Sequence, residues 1–189
     1  MNRPLDALPH ALQPYWDLTL AAVQAEALQL ALAEDLFETL ASPCTPEDLA
    51  QMHAWQPEAT RHWLTLLWSM QLLDRSRDSA GEWHYASSEV ARRYLASSSA
   101  LDCGDAWCFR LASLRDFGAG LANGLRGKNR PAPLANGERW AVAARGHLAR
   151  EQAAVTAPAA CELVAQRRVA EAAWRLLDLG GGPGLVAVA

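Results

Sequence analysis

The chain has 189 residues, enough for one large domain or for one domain and part of a second, and its 51% hydrophobic content supplies a packed core. The formal charge of −4 is unevenly spread: residues 1–100 carry 6 basic and 13 acidic groups, net −7, and residues 101–189 carry 11 and 8, net +3. Neither half is the basic footprint of a nucleic-acid binder, and no uninterrupted apolar run approaches the roughly 20 residues a membrane span requires.

Periodicity predicts a first helix over residues 15–40. Leu20, Val23, Ala27, Leu30, Ala31, Phe37 and Leu40 recur at three- and four-residue steps, leaving Gln24, Glu34 and Glu38 for other faces. So long a helix calls for a break near its middle or a partner outside the local fold. The alanine and leucine density of residues 21–33 suits close packing, either between subunits or within one core.

A helix-turn-helix is expected next. Thr45 reads as an N-cap, Pro46 fits the first helical position, and Glu47 and Asp48 favour the positive end of the helix dipole. Leu49 and Met52 are expected to face inward. After a break at Trp55 and Gln56, Pro57 opens a second helix, whose Trp63, Leu66, Leu67 and Met70 form an i, i+3, i+4, i+7 stripe that ends near Leu73. Residues 72–77 and 82–87 then read as two short strands around a turn at residues 78–81. Helix, helix, hairpin is a winged-helix module.

Such a module raises DNA binding, which the residues oppose. A recognition helix needs exposed Arg, Lys, Asn or Gln to reach base edges and phosphates. Across residues 57–73 only Arg61 is permanently cationic, with His62 and Gln71 the other candidates, and the acidic surroundings repel phosphate.

Helical spacing returns over residues 105–122 through Trp107, Leu111, Leu114, Gly118 and Leu121, with Asn123 and Gly124 as the expected stop. Residues 125–137 read as a linker loop whose Arg126, Lys128 and Arg130 are solvated. Residues 138–155 are again helical, and Pro158 is expected to open another helix toward Arg168. Cys44, Cys103, Cys108 and Cys161 include no C-x-x-C pair and read as small apolar residues of a reduced compartment. With no cleavable apolar leader after Met1, a cytoplasmic location is expected. The five histidines show no two-ligand spacing, so no metal site is expected.

The most informative segment is residues 176–189, where a short apolar run enters a glycine-dense turn and a new apolar segment emerges. That is the pattern of a strand, a nucleotide-type loop and the first turns of a helix. Residues lacking Cβ let a loop bring its backbone against a ligand, and the following helix offers unpaired N–H groups. Gly180, Gly182 and Gly184 give G-x-G-x-G spacing, with Asp178 at the carboxyl end of the strand. A dinucleotide loop would place its third glycine at position 185, where Leu185 stands.

The run Leu177, Asp178, Leu179, Gly180, Gly181, Gly182, Pro183, Gly184 resembles the first motif of S-adenosylmethionine-dependent methyltransferases, in the form found in O-methyltransferases that act on small molecules. By that resemblance the backbone at Gly180, Gly181, Gly182 and Gly184 borders the methionine and ribose of S-adenosylmethionine, and Asp178 helps to fix the loop and its contacts to the cofactor's amino group. Residues 33–40, 45–50, 63–74 and 83–91 resemble, in order and spacing, the N-terminal dimerisation domain of the same family.

The resemblance implies a mainly α fold: an N-terminal winged-helix dimerisation domain over residues 1–100, a helical connector with substrate-pocket helices over residues 101–170, and the first strand, loop and helix of a truncated Rossmann-like α/β methyltransferase domain over residues 171–189. It implies a homodimer whose intertwined N-terminal helices help to wall the partner's pocket, and a small-molecule hydroxyl as acceptor. The cofactor is already activated, so the protein must align oxygen, carbon and sulfur and, where necessary, remove a proton. The family often places a phenylalanine and a methionine in the helices before the loop. Residues 139–148 hold neither, and Trp140 is either an aromatic wall in their place or a structural core residue. The family's proton acceptor is commonly a histidine well downstream of the loop; His147 precedes it, so no catalytic base is assigned. One candidate strand cannot bury both faces of a parallel sheet, and the acidic residue expected to hold the ribose after the next strand is not among these residues. Residues 1–189 are therefore expected to bind the cofactor weakly or not at all. Two other readings stay open: a noncatalytic dimerisation or interaction module, and, behind it, a winged-helix regulator.

Overall fold

The computed structural model describes residues 10–128 and 137–167, and for residues 137–140 and 167 the backbone alone. Helix α1 (Gln13–Ala33) ends where Asp35 turns left-handed at φ 50°, and α2 (Leu36–Thr39) is a separate single turn. The single helix expected over residues 15–40 is thus broken near its end rather than its middle. Asp tolerates this backbone region, and the turn drives Leu36, Phe37 and Leu40 into the core. Only Ala27 and Ala31 of the α1 stripe are buried; Leu20, Val23 and Leu30 face outward.

Helix α3 (Pro46–His53) starts as its sequence demands, with Thr45 Oγ1 accepting from the Asp48 N–H at 3.1 Å. Leu49 and Ala50 are buried, whereas Met52, expected inside, is exposed because it falls on the far side of this two-turn helix. The end of α3 is a Schellman motif: Trp55 N–H donates to Ala50 O at 2.8 Å and Ala54 N–H to Gln51 O at 3.4 Å, with Ala54 at φ 56°. Helix α4 (Pro57–Ser69) is capped by Gln56 Oε1, which accepts from the Ala59 N–H, and it buries Thr60, Leu64 and Leu67. It closes the same way, with Gln71 at φ 63° and Leu72 N–H reaching Leu67 O at 3.1 Å.

Strands β1 (Leu73–Arg77) and β2 (Trp83–Ser87) pair antiparallel, from Leu73 opposite Ser87 to Arg77 opposite Trp83. The turn between them is organised by Asp78, whose Oδ1 accepts from the N–H groups of Ala80 and Glu82, both at 2.9 Å, and by Gly81 at φ 86°. Helix, helix, hairpin is therefore the observed order. Helix α5 (Glu89–Tyr94), capped by Ser88, follows directly. The core lies between α2, α3, α4 and the hairpin, with Leu36, Phe37, Leu40, Leu49, Leu64, Leu67, Leu73 and Tyr85 all essentially sealed from solvent. Each such side chain contributes about 1.5–3 kcal/mol relative to exposure.

Helix α6 (Gly104–Leu125) lies against α1, where a Cβ added at Gly104 would stand only 3.2 Å from Leu32 Cδ2. The glycine that ends α6 is Gly127 at φ 63°, not Gly124: Lys128 N–H reaches Asn123 O at 3.0 Å and Gly127 N–H reaches Gly124 O. Its expected inward stripe is also displaced, since Ala106 and Ser113 are buried while Leu114 and Leu121 are exposed. Residues 129–136 of the expected linker, including Arg130, lie outside the described residues.

The helix expected over residues 138–155 is two, α7 (Gly137–Arg145) and α8 (His147–Glu151), divided at Gly146. From α8 the chain passes through a wider π turn (Gln152–Thr156) straight into α9 (Ala157–Arg167), so Pro158 lies within a continuous helical run rather than opening a new one. Proline cannot donate to the carbonyl four residues back, and its ring crowds that carbonyl; the wider turn absorbs both effects. Among the described residues no helix is long and apolar enough to cross a membrane.

Candidate functional site

Asp178, Gly180, Gly181, Gly182 and Gly184 lie outside the described residues, as does the side chain of Trp140. The described residues assemble a different feature. Helices α1 and α6 are joined by an Arg115–Glu26 ion pair and by Arg115 donating to Gln29 Oε1 at 2.9 Å. Both present large apolar side chains to solvent: Tyr15, Trp16, Leu18, Leu20 and Val23 from α1, and Leu114, Phe117, Leu121 and Leu125 from α6. Apolar surface on this scale marks a contact region for another molecule.

A polar network joins α6 to α8. His147 Nδ1 lies 3.2 Å from Asp105 Oδ2, Arg150 reaches the same oxygen at 3.6 Å, and Arg110 pairs with Glu151 at 2.5 Å. Nothing local in the sequence joins His147 to Asp105, and sequence reasoning missed the pair. Burial raises the Cys103 and Cys108 thiols above their ordinary range. The carboxylates of Glu151 and Asp102 add to the effect at Cys103, and those of Asp105 and Asp102 at Cys108. Both are thereby held protonated, the opposite of what a nucleophile requires. Among the described residues no cluster of His, Cys, Asp and Glu could hold a metal ion.

Of the three candidates for reading DNA, Arg61 is bound to Glu47, His62 Nε2 lies 3.8 Å from Glu58, and the Gln71 backbone forms the left-handed turn after α4. On the hairpin, the Arg75 guanidinium sits 3.6 Å from the Trp68 ring centroid and 4.1 Å from that of Trp83, and Arg77 lies over Trp83 at 4.2 Å. These cations are stacked on indoles. The alternation of Arg75 and Arg77 along β1, which puts both on one face, was the signal for this stack.

Residues 16–97 match the O-methyltransferase dimerisation domain. Most of α1, all of α2 to α5 and the hairpin fall within the match. Solved methyltransferase structures share the fold. An O-methyltransferase family protein from Burkholderia thailandensis is 20% identical with a TM-score of 0.62, over 82% of this chain and 46% of that one. Human N-acetylserotonin methyltransferase, solved with S-adenosylmethionine, is 21% identical with a TM-score of 0.57, over 64% of this chain and 36% of that one. PigF, solved with S-adenosylhomocysteine, is 20% identical with a TM-score of 0.65, over 95% and 54%. The chain spans about half the length of these structures or less. No curated protein matches it.

Proposed function

We propose that the chain serves S-adenosylmethionine-dependent methyl transfer to a hydroxyl group of a small molecule, and that it acts as a homodimer. The observation that carries this reading is the dimerisation-domain match over residues 16–97. The outward apolar surfaces of α1 and α6 support it, because a second copy would bury them. In this reading residues 1–100 pair the subunits, residues 101–170 carry the helices that approach the acceptor, and residues 171–189 open the cofactor domain. Asp178, Gly180, Gly181, Gly182 and Gly184 would border the cofactor, which supplies the activated methyl group. No residue is assigned as the base.

Sedimentation equilibrium of the 189-residue chain tests the pairing: a dimer at low-micromolar concentration is expected, and a monomer throughout overturns it. Calorimetry with S-adenosylmethionine tests the cofactor half. Binding weaker than micromolar is the expected outcome for residues 1–189. Micromolar affinity would show that these residues already complete the site.

A further inference from the structure

A groove of about 220 Å³ opens between the end of α1 and the turn from α3 to α4, remote in sequence from the proposed cofactor loop. Trp55 and Trp63 wall it, Leu30 and Ala59 add apolar lining, and Glu34 is its one ionisable residue. The two indoles lie 5.4 Å apart with their planes at 73°, so they form a corner rather than a stack. Each wall is fixed from behind. Trp63 Nε1 donates to Ala27 O at 3.1 Å, and the His53 ring stacks on Trp55 at 4.2 Å.

The polar groups of the lining identify what could bind. Gln56 Oε1 already accepts from the Ala59 N–H, and Thr60 Oγ1 already donates to Gln56 O at 3.0 Å. The Glu34 carboxylate has no hydrogen bond or ion pair among the described residues. A neutral ligand could hydrogen-bond that carboxylate but would bring no charge to oppose it. An anion would meet a carboxylate in a region of net charge −7. A compact cation, by contrast, meets the corner of the two indoles and an opposing charge in the same lining.

We propose that this groove is a binding site for a small organic cation of the alkylammonium class. The inference stands on the groove itself and does not rest on the methyl-transfer reading. Isothermal titration of the intact chain with choline chloride tests it. The comparison is the uncharged isostere in which a tert-butyl group replaces the trimethylammonium. Choline should bind saturably and roughly tenfold more tightly than the isostere. Glu34→Gln, at an exposed position that leaves the core untouched, should reduce choline affinity several-fold without changing the affinity for the isostere, and Trp55→Leu should abolish saturable choline binding. Equal binding of cation and isostere would overturn the proposal by making the groove merely apolar. So would the absence of saturable choline binding, or choline affinity unmoved by Glu34→Gln.

Discussion

Ser87 at the end of β2 donates its hydroxyl to the carbonyl of Phe37 in α2 at 2.8 Å, a buried bond across fifty residues of sequence. Its own N–H donates to Leu40 O, also at 2.8 Å. A one-turn helix cannot satisfy its last carbonyls internally, and the end of the hairpin supplies the missing donors. This is how the bend at Asp35 is locked: the chain turns there because Phe37 and Leu40 gain both burial and hydrogen bonds by doing so. Ser87→Ala should leave the Phe37 carbonyl buried and unpaired, at a cost of about 1–3 kcal/mol. Urea denaturation should show a lower midpoint at unchanged slope. An unmoved midpoint would mean that the bond does not hold the bend.

Ala54 offers a test of the opposite sign. It holds φ 56° at the end of α3, where an L residue with a Cβ is strained by about 1–2 kcal/mol. Glycine removes that strain and costs about 0.4–1 kcal/mol through the unfolded chain. Ala54→Gly should therefore stabilise the protein by about 0.5–1 kcal/mol. Gln51→Gly, inside the same helix at an exposed position, should destabilise it by a similar amount. Thermal melts of the two variants moving in the same direction would contradict this account.

These sites also show what the sequence could reveal. Thr45, Pro46, Pro57 and the turn at residues 78–81 act on their immediate neighbours, so the helix starts and the hairpin are legible from the chain alone. The bend at Asp35 is not, because it is decided by distant Ser87 and by the burial of Phe37. Gly124 and Gly127 are equally suited to end α6, and only the helix register chooses between them. Periodicity picked out Leu20 and Val23 of α1 and Leu114 and Leu121 of α6 as apolar positions but not that they face outward. An amphipathic pattern has the same form whether it faces a core or another subunit. In the candidate site, the Asp105–His147 pair is invisible because its two members share no local pattern, and the glycine loop that dominates the sequence lies outside the described residues.

Subunit pairing can be separated from folding on α6. Phe117 and Leu121 are 65% and 55% exposed, so changing either to aspartate removes no core contact, and the far-UV circular dichroism of the native fold should be unchanged. If these residues meet a second copy, the double variant Phe117→Asp, Leu121→Asp places charges in an apolar contact and should weaken dimerisation by well over tenfold, or about 1.4 kcal/mol at the least. Analytical ultracentrifugation reads this directly. A variant as dimeric as the parent would move the contact away from α6.

The hairpin turn should respond to acid. The Glu82 N–H, and next the His84 side chain at 3.2 Å, hold the Asp78 carboxyl below its ordinary range. In the unfolded chain this group titrates near about 3.9. Between the folded and unfolded values the unfolded state binds more protons, so stability rises with pH across that window. The contribution is fully present above the unfolded value and disappears as pH falls through the folded one. Asp78→Ala should loosen the hairpin at neutral pH and flatten this acid dependence, measured as hydrogen exchange of the Ala80 and Glu82 amides. An unchanged exchange profile below the carboxylate range would remove Asp78 from the turn's stability.

Thiol chemistry should separate Cys161 from the other three cysteines. Cys161 is exposed on α9, whereas Cys103 is buried and Cys44 and Cys108 are half-buried. Burial, and then the Asp48 carboxylate, raises the Cys44 thiol in the same sense as burial and nearby carboxylates raise Cys103 and Cys108. Alkylation proceeds through the thiolate, so low access and a low thiolate fraction slow the same three positions together. Iodoacetamide at mildly alkaline pH should modify Cys161 in the native protein and the remaining three only after denaturant is added, as peptide mass spectrometry would show. Raising the pH further should not equalise them, because access remains limiting at Cys103 even when its thiol ionises. Modification of Cys103 at the rate of Cys161 in the native state would mean that the contact between α6 and its neighbours opens far more readily than its packing indicates.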